Sequence, residues 1–140
     1  YLALAIAAST LCIAVVQAQG TARTGQSAPE LAAGKAVYAK WCTPCHADVP
    51  NLAGTMSLAA KYNGTLPAAL EDRIDLQPAL IAYFVRNGVA WMPPFRPTEI
   101  SHGELAQLNA YLTAPLADRG AHAPLLAEEM LALPALEDAP

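Results

Sequence analysis

The chain is poor in cysteine, aromatic residues and β-branched residues, and it has no basic run. Each shortage excludes a class of protein. Of three cysteines in 140 residues, Cys12 falls in an apolar stretch at the N-terminal end. Only Cys42 and Cys45 then remain, too few for the disulfide framework that holds many small secreted domains. Val, Ile and Thr are sparse while Ala is abundant, which disfavours a sheet and favours helix. Aromatic residues make up 6% and hydrophobic residues 54%, so small Ala and Leu side chains supply most of the apolar content. A core of that kind in so short a chain has little stability to spare, and a bound group would fill it well. Without a basic stretch, nucleic-acid binding has no electrostatic support.

The N-terminal residues read as an export signal. Leu2 to Val16 is uncharged and apolar and ends at Val16-Gln17-Ala18, a small-residue cleavage pattern that places the cut before Gln19. The usual Met and basic leading segment are missing, so the sequence is expected to begin inside its signal. An uncleaved anchor is the alternative, since 1–18 is near the lower limit for a membrane span. Leu11 before Cys12 does not suit a lipoprotein signal. Between Gln19 and Leu116 the acidic and basic side chains balance. The net charge of -4 lies in the tail, with Asp118, Glu128, Glu129, Glu137 and Asp138 against Arg119.

The expected organisation is a signal over 1–18, a flexible lead over 19–27, one domain over 28–115 and an acidic Ala/Leu/Pro-rich tail over 116–140. Ser27 and Glu30 form a capping pair for a helix over Ala28 to Lys40, and Pro44 ends its continuation. A short helix is expected over Thr55 to Lys61, closed by the Asn63-Gly64 turn signal, with another helical turn over Leu66 to Asp72. Asp75 is the expected cap of a helix that has Pro78 in its first turn and Gly88 past its end. Ser101 and Glu104 mark a last helix whose buried stripe is Leu105, Leu108, Tyr111 and Leu112. The tail carries a short helical signal near Leu125 to Leu131.

The chemistry lies in Trp41-Cys42-Thr43-Pro44-Cys45-His46. Two thiols at C-x-x-C spacing can add across the two vinyl groups of one haem, and the adjacent His reaches the iron from the same side. Such attachment occurs on the exported side of a membrane, in agreement with the signal. Trp-Cys-x-Pro-Cys also resembles a thioredoxin-like redox site, where Cys42 would be a low-pKa nucleophile of a thiol–disulfide oxidoreductase. That site follows a buried strand, whereas Leu31 to Lys40 is Ala-rich and helical in pattern. Zinc would need further ligands, and no second Cys pair exists.

A haem iron needs a second axial ligand. Met92 lies in Gly88-Val89-Ala90-Trp91-Met92-Pro93-Pro94-Phe95, a loop that two prolines stiffen, whereas a Met used as core filler normally sits on a helix face. Met56 is close in sequence to His46, and Met130, His102 and His122 are less well placed. His–Met ligation raises the reduction potential above that of bis-His iron. The carbonyl of Pro50 is the candidate acceptor for the other ring N–H of His46. Arg73, Arg86 and Trp91 are the candidate partners of the haem propionates.

On these residues the chain resembles the monohaem class I cytochromes c. The resemblance covers about Ala28 to Ala114. It implies a small all-α fold, three to five helices wrapped round one covalent haem c, with Gly34 and Tyr38 crossing Tyr111 where the first and last helices meet. A narrower likeness joins Phe84-Val85-Arg86-Asn87-Gly88 and Trp91-Met92-Pro93 to the cytochrome subunits of flavocytochromes of the p-cresol methylhydroxylase and eugenol hydroxylase type. It implies a periplasmic carrier that takes single electrons from a flavoprotein dehydrogenase subunit and passes them to a soluble acceptor protein. A free, diffusing cytochrome c of a respiratory chain is the alternative. With both axial positions filled and no base or nucleophile in view, the chain is expected to carry electrons and not to be an enzyme.

Overall fold

The computed structural model describes residues 26–125. The signal and lead expected before residue 26, the helical signal expected over Leu125 to Leu131 beyond its first residue, and Met130 lie outside the described residues. Six α-helices follow one another: α1 (Ala28–Trp41), α2 (Thr43–His46), α3 (Ala53–Tyr62), α4 (Pro78–Asn87), α5 (His102–Thr113) and α6 (Leu116–Arg119), with a 3-10 turn over Leu70–Asp72 between α3 and α4. An isolated bridge between Val89 and Met92 is the sole β pairing among the described residues. No described helix is long and apolar enough to cross a membrane.

Local sequence sets the helix ends. The Ser27 hydroxyl accepts from the Glu30 N–H at 3.4 Å, with Pro29 in the first turn of α1. At Ser101 the reciprocal box is complete: its hydroxyl accepts from the Glu104 N–H, and the Glu104 carboxylate accepts from the Ser101 N–H. A cap of this kind stabilises a helix by about 1 kcal/mol. Asn63, at φ 46°, and Gly64, at φ 80°, turn the chain out of α3. The cap expected at Asp75 does not form. Gln77 precedes α4, while Asp75 accepts from Arg73 Nε at 2.9 Å. The Arg73 guanidinium also sits 4.6 Å over the Tyr62 ring, and a fixed charge beside Asp75 outbids a helix end for its carboxylate.

The core is the crossing of α1 and α5. Tyr38, Leu108, Tyr111 and Ile100 are its fully buried members. The rings of Tyr38 and Tyr111 lie 6.1 Å apart and tilted, a geometry that adds about 0.5–1.5 kcal/mol beyond area burial. Gly34 permits the close approach. A Cβ there would run into the Gln107 carbonyl oxygen and stand 2.7 Å from Tyr111 Cβ. The expected contact of Gly34 and Tyr38 with Tyr111 is therefore present.

Packing continues past Pro115. Arg119 is buried and donates from Nη1 to the Glu71 carbonyl at 2.7 Å and from Nε to the Ala114 carbonyl at 2.8 Å. Ala123 is buried, and its N–H donates to the Glu71 carboxylate at 2.8 Å. Glu71 itself is 3% exposed and also accepts from the Tyr111 hydroxyl. These bonds offset the cost of burying a carboxylate. Residues 116–123 thus form a strap across the α1–α5 crossing and the 3-10 turn.

Candidate functional site

The helix break after Trp41 shapes the motif. Pro44 has no N–H and its ring would crowd the carbonyl four residues back, so α1 stops and α2 restarts at a new angle. Cys42 sits at the joint with φ -110°. Its carbonyl accepts from the His46 N–H at 2.8 Å and from the Cys45 N–H at 3.1 Å. Both thiols and the imidazole therefore belong to one tight turn. The Tyr38 hydroxyl donates to the His46 carbonyl at 2.9 Å. Thr43 donates to the Ala39 carbonyl at 2.7 Å, and Thr55 to the Ala47 carbonyl at 2.6 Å. Three side chains thus pin the motif's backbone from both sides.

The thiols of Cys42 and Cys45 are free. Burial first, then Glu71 and Cys45, push the Cys42 thiol up to about 12. Burial lowers the pKa of the His46 imidazole, which favours its neutral form. Nδ1 of His46 is buried and has no hydrogen-bond partner among the described residues. Gly54 faces this ring, where a Cβ would stand 2.6 Å from Cε1 and Nδ1. Gly54 belongs to no motif in the sequence. A glycine in the first turn of a helix, where most residues would serve, was the available signal.

Met92 is held by a tight reversal. Its N–H donates to the Val89 carbonyl at 2.8 Å and its carbonyl accepts from the Val89 N–H at 3.0 Å. Ala90 takes φ 51° and Gly88 φ 65° to close the turn. A Cβ on Gly88 would meet the Met92 carbonyl and stand 2.9 Å from Pro94 N. The Phe95 N–H donates to the Val85 carbonyl at 2.7 Å, and Arg86 Nη1 donates to the Phe95 carbonyl at 2.9 Å. Both ends of the loop are thereby tied to α4. Phe95 meets Trp41 edge to face at 5.7 Å. Trp41, Cys42, Leu70, Ala82, Met92 and Phe95 are all half-buried against one core cluster. The fold thus brings the Met92 loop and the thiol motif to the same side of that core.

The remaining candidates fall elsewhere. Pro50 is exposed and its carbonyl receives nothing from His46 Nδ1, because residues 47–52 turn on their own bonds, Val49 N–H to Ala47 and Leu52 N–H to Val49. Arg73 is buried and engaged with Asp75 and Tyr62. Arg86 braces the Phe95 carbonyl and, at 3.4 Å, reaches the Ser101 carbonyl. Trp91 is 95% exposed, since the tight turn that carries it points outward, so it is not buried among the core side chains. The indole with a buried, unpartnered N–H is Trp41. Met56 and His102 are exposed, and His122 pairs with Asp72 at 2.8 Å.

The site contains what a covalently held haem asks of a protein: two free thiols in one turn, a half-buried imidazole beside them, and apolar walls. It does not fit a thioredoxin-like site. The motif follows helix α1 and no strand, and the Cys42 thiol is pushed up where a nucleophile needs it lowered.

Neither the curated proteins nor the solved structures compared with this chain gave a match. One protein family does match, over residues 29–112, which takes in α1 through Leu112 of α5 and with them the motif and the Met92 loop. Its description is cytochrome c oxidase, cbb3-type, subunit III. With that match and the small all-α class I cytochrome c fold, the chain belongs to this family and is a c-type cytochrome of electron transfer.

Proposed function

We propose that this chain is an exported monohaem electron carrier, in which Cys42 and Cys45 would hold the haem through thioethers and His46 and Met92 would ligate its iron. When bound, haem c supplies a one-electron iron(III)/iron(II) couple. The observation that carries the reading is the shared placement of the thiol motif and the Met92 loop against one apolar cluster. Trp41, Leu70 and Phe95 would exclude water there. The Tyr38 and Thr43 hydrogen bonds fix the turn that presents His46. Gly88 and Ala90 fix the reversal that presents Met92. With His46 and Met92 both engaged by the bound group, it would exchange electrons without binding a substrate. The organisation proposed with this reading keeps the signal over 1–18 and the lead over 19–27, and joins 116–123 to the domain.

For a partner we propose a flavin-dependent dehydrogenase or hydroxylase subunit as donor and a soluble acceptor protein. The likeness of Phe84 to Gly88 and of Trp91 to Pro93 to flavocytochrome subunits supports it. The family description, which names an oxidase subunit, supports a second reading in which the chain delivers electrons to a terminal oxidase.

The test is an optical spectrum of periplasmic protein, oxidised and then dithionite-reduced. Sharp reduced bands that survive acid–acetone extraction, with a weak long-wavelength oxidised band that Met92→Ala abolishes, are expected. Absence of all haem bands after expression with a haem-attachment system would overturn the assignment. Flavin that copurifies with the haem favours the first partner. A flavin-free protein oxidised by oxidase-containing membranes favours the second.

A further inference from the structure

Three side chains far apart in sequence meet outside the thiol motif. Asp48 follows α2, Asp72 ends the 3-10 turn, and His122 lies on the strap. Their ligand atoms all fall within 4.8 Å of one another. His122 Nε2 and Asp72 Oδ1 are already 2.8 Å apart. All three remain open to solvent: His122 and Asp72 have side-chain exposures of 41% and 42%, and Asp48 is exposed.

We propose that Asp48, Asp72 and His122 form a binding site for a divalent transition-metal cation of the zinc type, which would staple the strap to the body of the domain.

The donor chemistry selects the class. One imidazole with two carboxylates is a three-ligand set of the kind that holds zinc and leaves a fourth position to water. The imidazole disfavours magnesium and calcium, which prefer all-oxygen sets. In a tetrahedral zinc site with bonds of about 2.1 Å, donor atoms stand about 3.4 Å apart. Reaching that spacing requires the His122–Asp72 pair to part slightly and the wider distances, none above 4.8 Å, to close, both by shifts of side chains open to solvent. The charge also suits a dication. Two carboxylates face the position, and neither is held by an Arg or Lys among the described residues. Glu71, next in the chain, is already satisfied by Tyr111 and Ala123. An ion here would bring Asp48 onto the strap, which already bonds the 3-10 turn through Glu71 and the exposed His122–Asp72 contact. It would also place positive charge two residues from His46.

The experiment is calorimetric titration of chelator-stripped, haem-loaded full-length protein with Zn²⁺ alone. The haem-loaded form keeps Cys42 and Cys45 out of the titration. A saturable site of one zinc per chain is expected, with a rise in Tm on binding. His122→Gln and Asp48→Asn, both at exposed positions, are each expected to weaken it at least about tenfold, equivalent to about 1.4 kcal/mol, without changing the haem spectrum. His102→Gln should bind as the parent does, and Mg²⁺ should not compete. No saturable binding, or equal binding by His122→Gln and the parent, would overturn the site and leave an ordinary surface ion pair. Loss of binding in His102→Gln would do the same by moving the zinc elsewhere.

Discussion

The α1–α5 crossing and the site beside it are built on opposite terms. In the crossing, rings, glycine and carboxylate satisfy one another: Tyr38 against Tyr111, Gly34 against Gln107, Glu71 beneath the Tyr111 hydroxyl. In the site, Trp41 and His46 keep buried nitrogens without partners among the described residues, against a single such atom on α5, Asn109 Oδ1, and Cys42, Met92 and Phe95 stay half-buried. A buried polar group without a partner costs about 1–3 kcal/mol, so natural chains keep few of them. The contrast teaches that one half of this small domain is completed by its own residues, while the other is shaped for a group the chain binds.

Substitutions can break that contrast from either side. Gly34→Ala should have the largest effect, a loss of about 3 kcal/mol, because backbone and not a flexible side chain blocks the new methyl. Guanidinium unfolding of the haem-loaded protein measures it, and an unchanged midpoint would mean that the helices part easily. Glu71→Ala should cost about 2 kcal/mol, since it strands the Tyr111 hydroxyl and the Ala123 N–H. Glu71→Gln, which still offers an acceptor, should cost less. In the haem-free chain Met92→Ala should cost about 1 kcal/mol or less, because the side chain is only half-buried, while in the haem-loaded protein it should remove the long-wavelength oxidised band. An equal loss of stability in Met92→Ala and Gly34→Ala would erase the distinction between the two halves.

The smallest effect concerns the strap. The Asp72 hydrogen bond holds the His122 pKa above its ordinary 6.5. A raised folded pKa contributes stability that is full below the unfolded value and fades as pH climbs through the folded one. For so exposed a pair the contribution should be at most about 0.5 kcal/mol. In chelator, Tm of the parent should fall relative to His122→Gln as pH rises from below the ordinary imidazole value to above the raised one. Parallel profiles would show that the pair adds nothing.

Local signals in the sequence marked most of the frame. The Ser101–Glu104 box, the Asn63-Gly64 turn, Gly88 after α4 and the Leu105–Leu112 stripe all appear where periodicity and capping place them. Most misses arise from contacts that no local pattern encodes. Asp75 reads as a cap until Arg73 is seen locked over Tyr62. Glu71 carries no local signal, because its partner Tyr111 lies forty residues on. The strap has an Ala/Leu/Pro composition without period, so nothing in it announced that Arg119 and Ala123 would be buried. In the site, the motif and the Met92 loop were legible as spacing and stiffness. Gly54 was not, because its need arises from a ring packed across from it. Trp91 drew attention as a site indole, but the tight turn sends it outward and leaves Trp41 inside.

One oxygen atom ties the two halves together. The Tyr38 ring is locked in the crossing, and its hydroxyl ends on the carbonyl of His46. A shift of α1 against α5 is therefore transmitted along a rigid phenol to the backbone that carries the imidazole. The domain has a built-in linkage rod, through which the fit of one helix pair bears on the attitude of the His46 ring.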